Sequence, residues 1–355
     1  MGGEQSLMER NSMRRHMTSG TRIVLAARPH GEPKDSDFRF EEVPLREPQD
    51  GEVSLQTLYL SLDPYMRGRM SAAKSYAPPV EVGDTMVGAT VSRVIESTVD
   101  RFSPGDVVLG YGGWQTHSVE PAKQLRLLDP TVNPPSTALG VLGMPGFTAY
   151  SGLLTIGDPK PGETVVVAAA AGPVGSAVGQ IAKIKGARAV GIAGGPEKVA
   201  YLVDELGFDA AIDHRADNFA EQLAAATTDG IDVYFENVGG TVFDEVFKRM
   251  NTYGRIPVCG LVANYNLTAL PEGPDRSGQL MGNILTRSLT VRGFIQTEFA
   301  AEQTPRFLEE ASGWVADGSL KYREDITDGL ENTPEAFRGL LKGRNFGKAL
   351  VRVAD

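Results

Sequence analysis

Residues Val165–Gly186 read VVVAAAAGPVGSAVGQIAKIKG, a small-residue run that either holds a phosphate or only packs a helix against a strand. The first part, opened by Pro161-Gly162, is a continuous apolar stretch of the kind buried on both faces of a sheet. The second part has helical spacing and stops at Gly186, a natural C-terminal cap. Between them lies Ala170-x-Gly172-x-x-Gly175, the dinucleotide fingerprint with alanine at its first glycine. Each small residue serves a separate need: a tight turn, approach of a pyrophosphate to backbone N–H groups, and close helix–strand packing. Pro173 suits the first helical position. The helix start, from Gly172 and Pro173 through Val174 to Gly175, offers free N–H groups and positive partial charge to a phosphate.

Taken alone, the fingerprint leaves the ligand-free packing open, and its surroundings decide. After ARAVGIAGG, helix-like and strand-like segments alternate: EKVAYLVDELG with DAAIDH, NFAEQLAAAT with IDVYFENVG, TVFDEVFKRM with GRIPVCGL, and GQLMGNILTR with LTVRGFIQ. Six strands with intervening helices are the profile of a doubly wound parallel sheet. RFLEEASGWVADGSL (306–320) reads as one more helix. Upstream of about Leu142 the pattern is short alternating strands with Gly and Pro turns, as in GEVSLQTLYLSL and DTMVGATVSRVIES, which predicts a small bent β barrel. The terminal NFGKALVRV is a strand expected to return to that barrel.

Composition narrows the function. The 355 residues call for two domains, and 41% hydrophobic with 23% charged residues is a globular balance. A net charge of −10 argues against nucleic acid or an anionic membrane as partner. The single Cys259 excludes an internal disulfide and a Cys-rich zinc site, and the four histidines are scattered, so no metal is expected. No run of about twenty apolar residues exists to span a membrane. The opening residues 1–20 lack the apolar core of a signal peptide, so a flexible tail and a cytoplasmic protein are expected.

The second strand of the sheet bears on which dinucleotide binds. An NAD site usually carries an acidic residue there for the ribose hydroxyls. Here GIAGGPEKV leaves space at Gly194 and Gly195 and puts Lys198 one helical turn on, able to pair with a 2′-phosphate. Glu197 is the counter-signal, and a helix N-terminus facing solvent accounts for it. The expected cofactor is NADPH.

Several segments are more specific than any glycine motif: SLDPYMRGRM (61–70), LGVLGMPGFTAYSGLL (139–154), YFENVGG (234–240), RIPVCGLVANYN (255–266) and GLLKGRNFGKALVRV (339–353). Through them nearly the whole chain resembles the zinc-free, NADP-dependent double-bond reductases of the medium-chain dehydrogenase/reductase superfamily. That group includes prostaglandin, alkenal and, most similar, bacterial curcumin reductases. The resemblance implies an α/β fold: a GroES-like β-barrel domain plus a Rossmann doubly wound parallel sheet of six strands. The domains it implies are 21–142 for the GroES-like substrate part, 143–315 for the NADP-binding part, and 316–355 completing the first.

It also implies a reaction. In such enzymes NADPH reduces the C=C bond of an α,β-unsaturated ketone or aldehyde at the β-carbon, and the α-carbon is protonated. Tyr265 matches the family tyrosine, whose hydroxyl bonds the nicotinamide ribose and supplies or relays the proton, or polarises the carbonyl; a phenol of pKa about 10 suits that task. Without the resemblance Tyr265 reads as a packed loop tyrosine. The cofactor contacts it implies are Gly172, Pro173, Val174, Gly175, Lys198, His214, Asn237, Cys259, Gly260, Leu261, Tyr265, Phe294, Ile295, Gln296 and Asn345. Many relatives have tyrosine at the position of His214. Tyr65 and Tyr76 are the expected substrate walls for a flat enone. The alternatives are a zinc-free quinone reductase and a non-catalytic NADPH-binding protein of the same fold. A homodimer is expected by analogy, through SLTVRGFIQ (288–296).

Overall fold

The computed structural model describes residues 19–129, 131, 133–270 and 273–355. The chain divides into two compact units. One runs up to Ser136 and takes back Ile326–Arg338 and Leu350–Asp355; the other holds Thr137–Asp325 and Gly339–Ala349. Of the tail expected over 1–20, residues 1–18 lie outside the described residues, and Ser19 and Gly20 already pair with Pro44 and Val43.

The first unit is built on strands β1 (Ser19–Leu25), β2 (Phe38–Pro44), β3 (Glu52–Ser61), β4 (Thr90–Ser97), β5 (Val107–Gly110), β6 (His117–Pro121) and β7 (Arg126–Leu128), with a short helix α1 (Tyr65–Arg69). Alternation along β3 turns Val53 and Leu55 inward, onto Val94, Phe102, Val108 and Leu125. The buried Trp114 stacks on Phe38 at 5.4 Å and takes the Phe337 ring edge-on at 5.5 Å.

The second unit centres on β8 (Thr164–Ala168), β9 (Arg188–Ala193), β10 (Ala210–Asp213), β11 (Ile231–Phe235), β12 (Met250–Val258) and β13 (Thr290–Gly293). These six form one sheet in the order β10-β9-β8-β11-β12-β13, all pairs parallel. Helices α2 (Met144–Ser151), α3 (Pro173–Ile184), α4 (Pro196–Asp204), α5 (Phe219–Ala226), α6 (Gly240–Phe247), α7 (Ser277–Thr286) and α8 (Ala300–Ala316) accompany it. Every residue of β8 is buried: Val165 and Val167 join Ala177, Val178 and Ile181 on one face, while Val166 and Ala168 join Val190 and Ile192 on the other. The α/β organisation read from the sequence is present. Helix α8 begins at Ala300 rather than near Arg306 and carries Pro305 inside it. Packing of Phe299, Ala300 and Phe307 on the core outweighs the hydrogen bond that the proline removes.

The last two strands, β14 (Glu324–Asp328) and β15 (Lys348–Arg352), close the barrel sheet, whose order is β14-β15-β3-β4-β5-β7 with β6 also on β3. Leu350 pairs with Ser61 there, as the sequence reading of the terminal strand has it. In the parallel sheet, strand order runs outward from β8 through β9 in one direction and from β11 through β12 in the other. A crevice opens at such a reversal, at the carboxyl ends of the strands, and ligands of these sheets bind there.

Gly175 tests the packing that creates the crevice. A Cβ on it would lie 2.4 Å from the Ala169 carbonyl oxygen, so Gly175→Ala is expected to destabilise by about 1–3 kcal/mol. Gly313→Ala, on exposed α8 with open space around it, is expected to stabilise by about 0.5–1 kcal/mol. Urea denaturation midpoints check both, and a neutral Gly175→Ala would refute the close-approach argument.

Candidate functional site

Loops at the carboxyl ends of the strands assemble the site around the crevice. After β8 the chain turns through Ala169, a non-glycine residue at φ 52°, and enters α3 with Gly172 as cap and Pro173 first. Gly172, Pro173 and Val174 are half-buried and Gly175 is buried, its α-carbon packed too close to Ala169 and Ala170 for any side chain. Gly175 is thus a packing glycine, and the partly exposed Gly172–Val174 are the part of this helix start that a phosphate could meet.

After β9, Gly194 lies beneath two side chains from the end of β10. A Cβ on Gly194 would come within 2.8 Å of Arg215 Nε and 3.0 Å of His214 Nε2. Asp213 orders this turn by accepting the Gly195 and Arg215 N–H groups at 3.0 and 2.9 Å. Lys198, on α4, donates to the carbonyls of Gly343 and Asn345 at 2.8 and 2.6 Å. Burial, then the Arg215 charge, lowers the Lys198 pKa; burial and the same guanidinium lower that of His214, with Lys198 adding to it. Three basic groups thus share one neighbourhood in a chain of net charge −10. Arg215 was missed by sequence reasoning: it directly follows His214 at a strand end, and only the fold brings its guanidinium to Gly194.

After β11 and β12, two loops are joined through Glu236. Its buried side chain accepts the Val238 and Gly239 N–H groups at 2.5 and 2.8 Å. Its carbonyl accepts those of Cys259 and Gly260 at 2.9 and 3.2 Å. Burial pushes the Glu236 carboxyl above its usual range against the pull of these N–H groups. Asn237 donates its amide to the Ala168 carbonyl at 2.8 Å, tying the ends of β8 and β11 together. Burial, then the Glu236 charge, pushes the Cys259 thiol to about 12, and its side chain packs against the core of the second unit. The Tyr265 hydroxyl stands over Gly260, 3.2 Å from where a Cβ would be, and the Asn237 carbonyl is 3.4 Å from the same point. Leu261 is exposed beside them and lies 3.2 Å from the Cβ position of Gly239.

The remaining expected residues divide. Ile295 and Gln296 are half-buried just past β13. Phe294 is buried, its ring edge-on to Phe235 at 6.1 Å, and its N–H donates to the Val258 carbonyl at 3.3 Å. Asn345 folds its amide back onto the Gly347 carbonyl at 2.8 Å. Tyr65 and Tyr76 belong to the first unit, where Tyr65 opens α1. Burial, then the Asp63 carboxylate, raises the Tyr65 phenol, and Tyr76 and Tyr111 add to it. Tyr76 and Tyr111 are both exposed, and Tyr111 was not anticipated.

Residues 21–128 match the family described as the N-terminal domain of oxidoreductase, and residues 173–313 match zinc-binding dehydrogenase. The chain is 56% identical over 333 residues to NADPH-dependent curcumin reductase of Escherichia coli (strain K12), covering 94% of this chain and 96% of that one. It is 45% identical over 326 residues to prostaglandin reductase 1 of Rattus norvegicus, covering 91% and 95%. Among solved structures, CurA from Vibrio vulnificus in complex with NADPH superposes with a TM-score of 0.92 at 51% identity, covering 94% and 99%. Among the described residues no three His, Cys, Asp or Glu side chains are arranged to hold a metal ion.

The basic cluster predicts a pH dependence. A 2′-phosphate placed beside His214 would raise its lowered pKa, so binding takes up a proton and strengthens as pH falls. The preference for NADPH over NADH is expected to grow between about pH 8 and about pH 6, less so in His214→Asn, which keeps the phosphate's own titration. Fluorescence titrations of both dinucleotides check it; identical pH profiles in the two proteins would place His214 away from the phosphate.

Proposed function

The chain belongs to the NADP-dependent double-bond reductases of the medium-chain dehydrogenase/reductase superfamily, and on that footing we propose that it reduces the C=C bond of α,β-unsaturated ketones and aldehydes with NADPH. The observation that supports this reading is the Tyr265 hydroxyl standing over Gly260, in the loop that Glu236 ties to the turn after β11. The residues fit the cofactor. Gly172–Gly175 would take the pyrophosphate; Lys198, Arg215 and His214 the 2′-phosphate; and Asn237, Cys259–Leu261, Tyr265, the Phe294 backbone, Ile295, Gln296 and Asn345 the rest. Bound there, NADPH supplies the hydride that the β-carbon of the enone takes up.

The chain's own residues have the task of stabilising and quenching the charge that this creates. As the β-carbon gains hydrogen, negative charge collects on the substrate oxygen as an enolate. The Tyr265 O–H is assigned to hold that oxygen and to pass the proton that ends on the α-carbon. Its seat on Gly260 depends on Glu236, which fixes the loop backbone from below. Tyr65 and Tyr76, joined by Tyr111, are assigned as aromatic walls for flat, conjugated substrates of the curcumin type.

Compartment and assembly are assigned as well. No helix among the described residues is long and apolar enough to cross a membrane, and the cytoplasm is the assigned compartment. The assembly is assigned as a homodimer, because β13 is the sheet's edge strand and all four of its residues are exposed. An unprotected edge of this kind favours pairing with a second copy.

Near-ultraviolet absorbance of NADPH, followed with an alkenone, curcumin or a quinone, tests the activity. Loss with enones and a saturated ketone as product is expected; turnover of quinones alone, or none at all, would replace the assignment. Tyr265→Phe is expected to lower kcat by about 100-fold or more while NADPH affinity stays within a few-fold. Unchanged turnover would remove Tyr265 from the chemistry. Sedimentation is expected to give a dimer mass that Val291→Lys lowers toward the monomer, and a monomeric wild type would refute the edge pairing.

A further inference from the structure

Between α9 (Thr333–Leu341) and β15 the chain runs as a five-residue strap, Gly343-Arg344-Asn345-Phe346-Gly347, from Lys198 on α4 to the turn after β8. Its carbonyls at Gly343 and Asn345 occupy two of the three N–H groups that a lysine ammonium offers, both on Lys198. At its far end Gly347 donates to the Ala171 carbonyl at 3.1 Å, inside the fingerprint turn. The strap therefore connects the lysine expected to meet one phosphate with the turn expected to meet the others.

What holds the strap is Phe346. The Arg323 guanidinium lies 3.8 Å from the centroid of its ring, and Tyr201 meets the ring edge-on at 4.9 Å and 87°. Lys198 Nζ itself is 6.0 Å from the same centroid. Tyr201 is buried and stands on α4 one turn after Lys198, so the helix that carries the lysine also carries half of the ring's seat. The backbone on either side is fixed as well: Phe346 N–H donates to Asp325 at 2.8 Å, and Lys348 N–H to the Arg323 carbonyl at 2.8 Å. Gly347, at φ 91°, has no room for a Cβ, which would lie 2.3 Å from that same Arg323 carbonyl.

We propose that Phe346 is a positioning residue for cofactor choice: clamped between Arg323 and Tyr201, it holds the strap carbonyls that aim Lys198, and so sets the preference for NADPH over NADH. The inference rests on the reading that Lys198 takes the 2′-phosphate. An unclamped lysine spreads over many rotamers and loses that entropy when it pairs with a phosphate. Lys198 loses it on folding instead, so its third N–H is already directed. NADH has no group to gain from this, and its affinity should not depend on the clamp.

The test measures dissociation constants for NADPH and NADH on the full-length protein by fluorescence titration, with thermal melts alongside. Phe346→Leu, which removes the ring and keeps an apolar side chain, is expected to weaken NADPH by about 3- to 10-fold and NADH by less than about 2-fold. Arg323→Met, which removes the guanidinium from the ring face, is expected to act in the same sense and answers the question alone if Phe346→Leu fails to fold. Lys198→Ala is the reference, and Lys198→Ala/Phe346→Leu should be no worse for NADPH than Lys198→Ala itself. Equal losses of both dinucleotides in Phe346→Leu and Arg323→Met, or no loss, overturn the proposal while leaving Lys198 in place. Equal losses in Lys198→Ala overturn the reading beneath it.

Discussion

The contact on which the rest depends is that between the start of α3 and the end of β8. Gly175 approaches the Ala169 carbonyl and the Ala170 α-carbon so closely that no side chain can intervene. Ala169 itself lies in a left-handed conformation, which an L-residue adopts at some cost. The approach sets the first turn of α3 directly above the strand end. Every other element of the site is arranged around this backbone surface.

The neighbouring loops are held by polar groups that have little else to bond. Glu236 accepts two N–H groups with its carboxyl and two more with its carbonyl, joining the turn after β11 to the loop after β12. Burying a carboxyl is costly, and its raised pKa records the cost. The two N–H groups of Val238 and Gly239 offset part of it. Asn237, next in sequence, extends the same network to β8. Consecutive residues of one turn thus fix three strand ends, and Tyr265 stands on the result.

Much of this was legible in the sequence because it is local. The fingerprint, the buried run Val165–Ala168 and the alternation of β3 are each set by neighbours a few residues apart. The reading of Tyr265 came only through resemblance, since a loop tyrosine has no periodicity to betray it, whereas that of Lys198 came from the charge and glycines of GGPEK. Arg215 and Tyr111 escaped both routes. Arg215 meets a glycine of another strand, and Tyr111 adds to the field that raises the Tyr65 phenol from another segment, and no spacing rule encodes either. Phe294 is another case where the fold adds what the sequence does not carry: its ring is committed to the core against Phe235.

The strap extends the same argument to cofactor choice. A charge near a phosphate is commonly treated as a property of one residue, but Lys198 is directed by carbonyls some 145 residues later in the chain. Those carbonyls have no side-chain identity of their own. Their placement is set by an aromatic ring, a guanidinium and two glycines that never need to touch a ligand. Selectivity at this site is therefore a tertiary property. It forms only when the C-terminal residues have packed, and a motif reading of GGPEK captures the charge without its direction. The same logic explains why an acidic protein can present a cationic pocket: three basic groups converge there, held by backbone carbonyls and by Asp213, whose carboxylate is occupied with N–H groups of the turn beneath them.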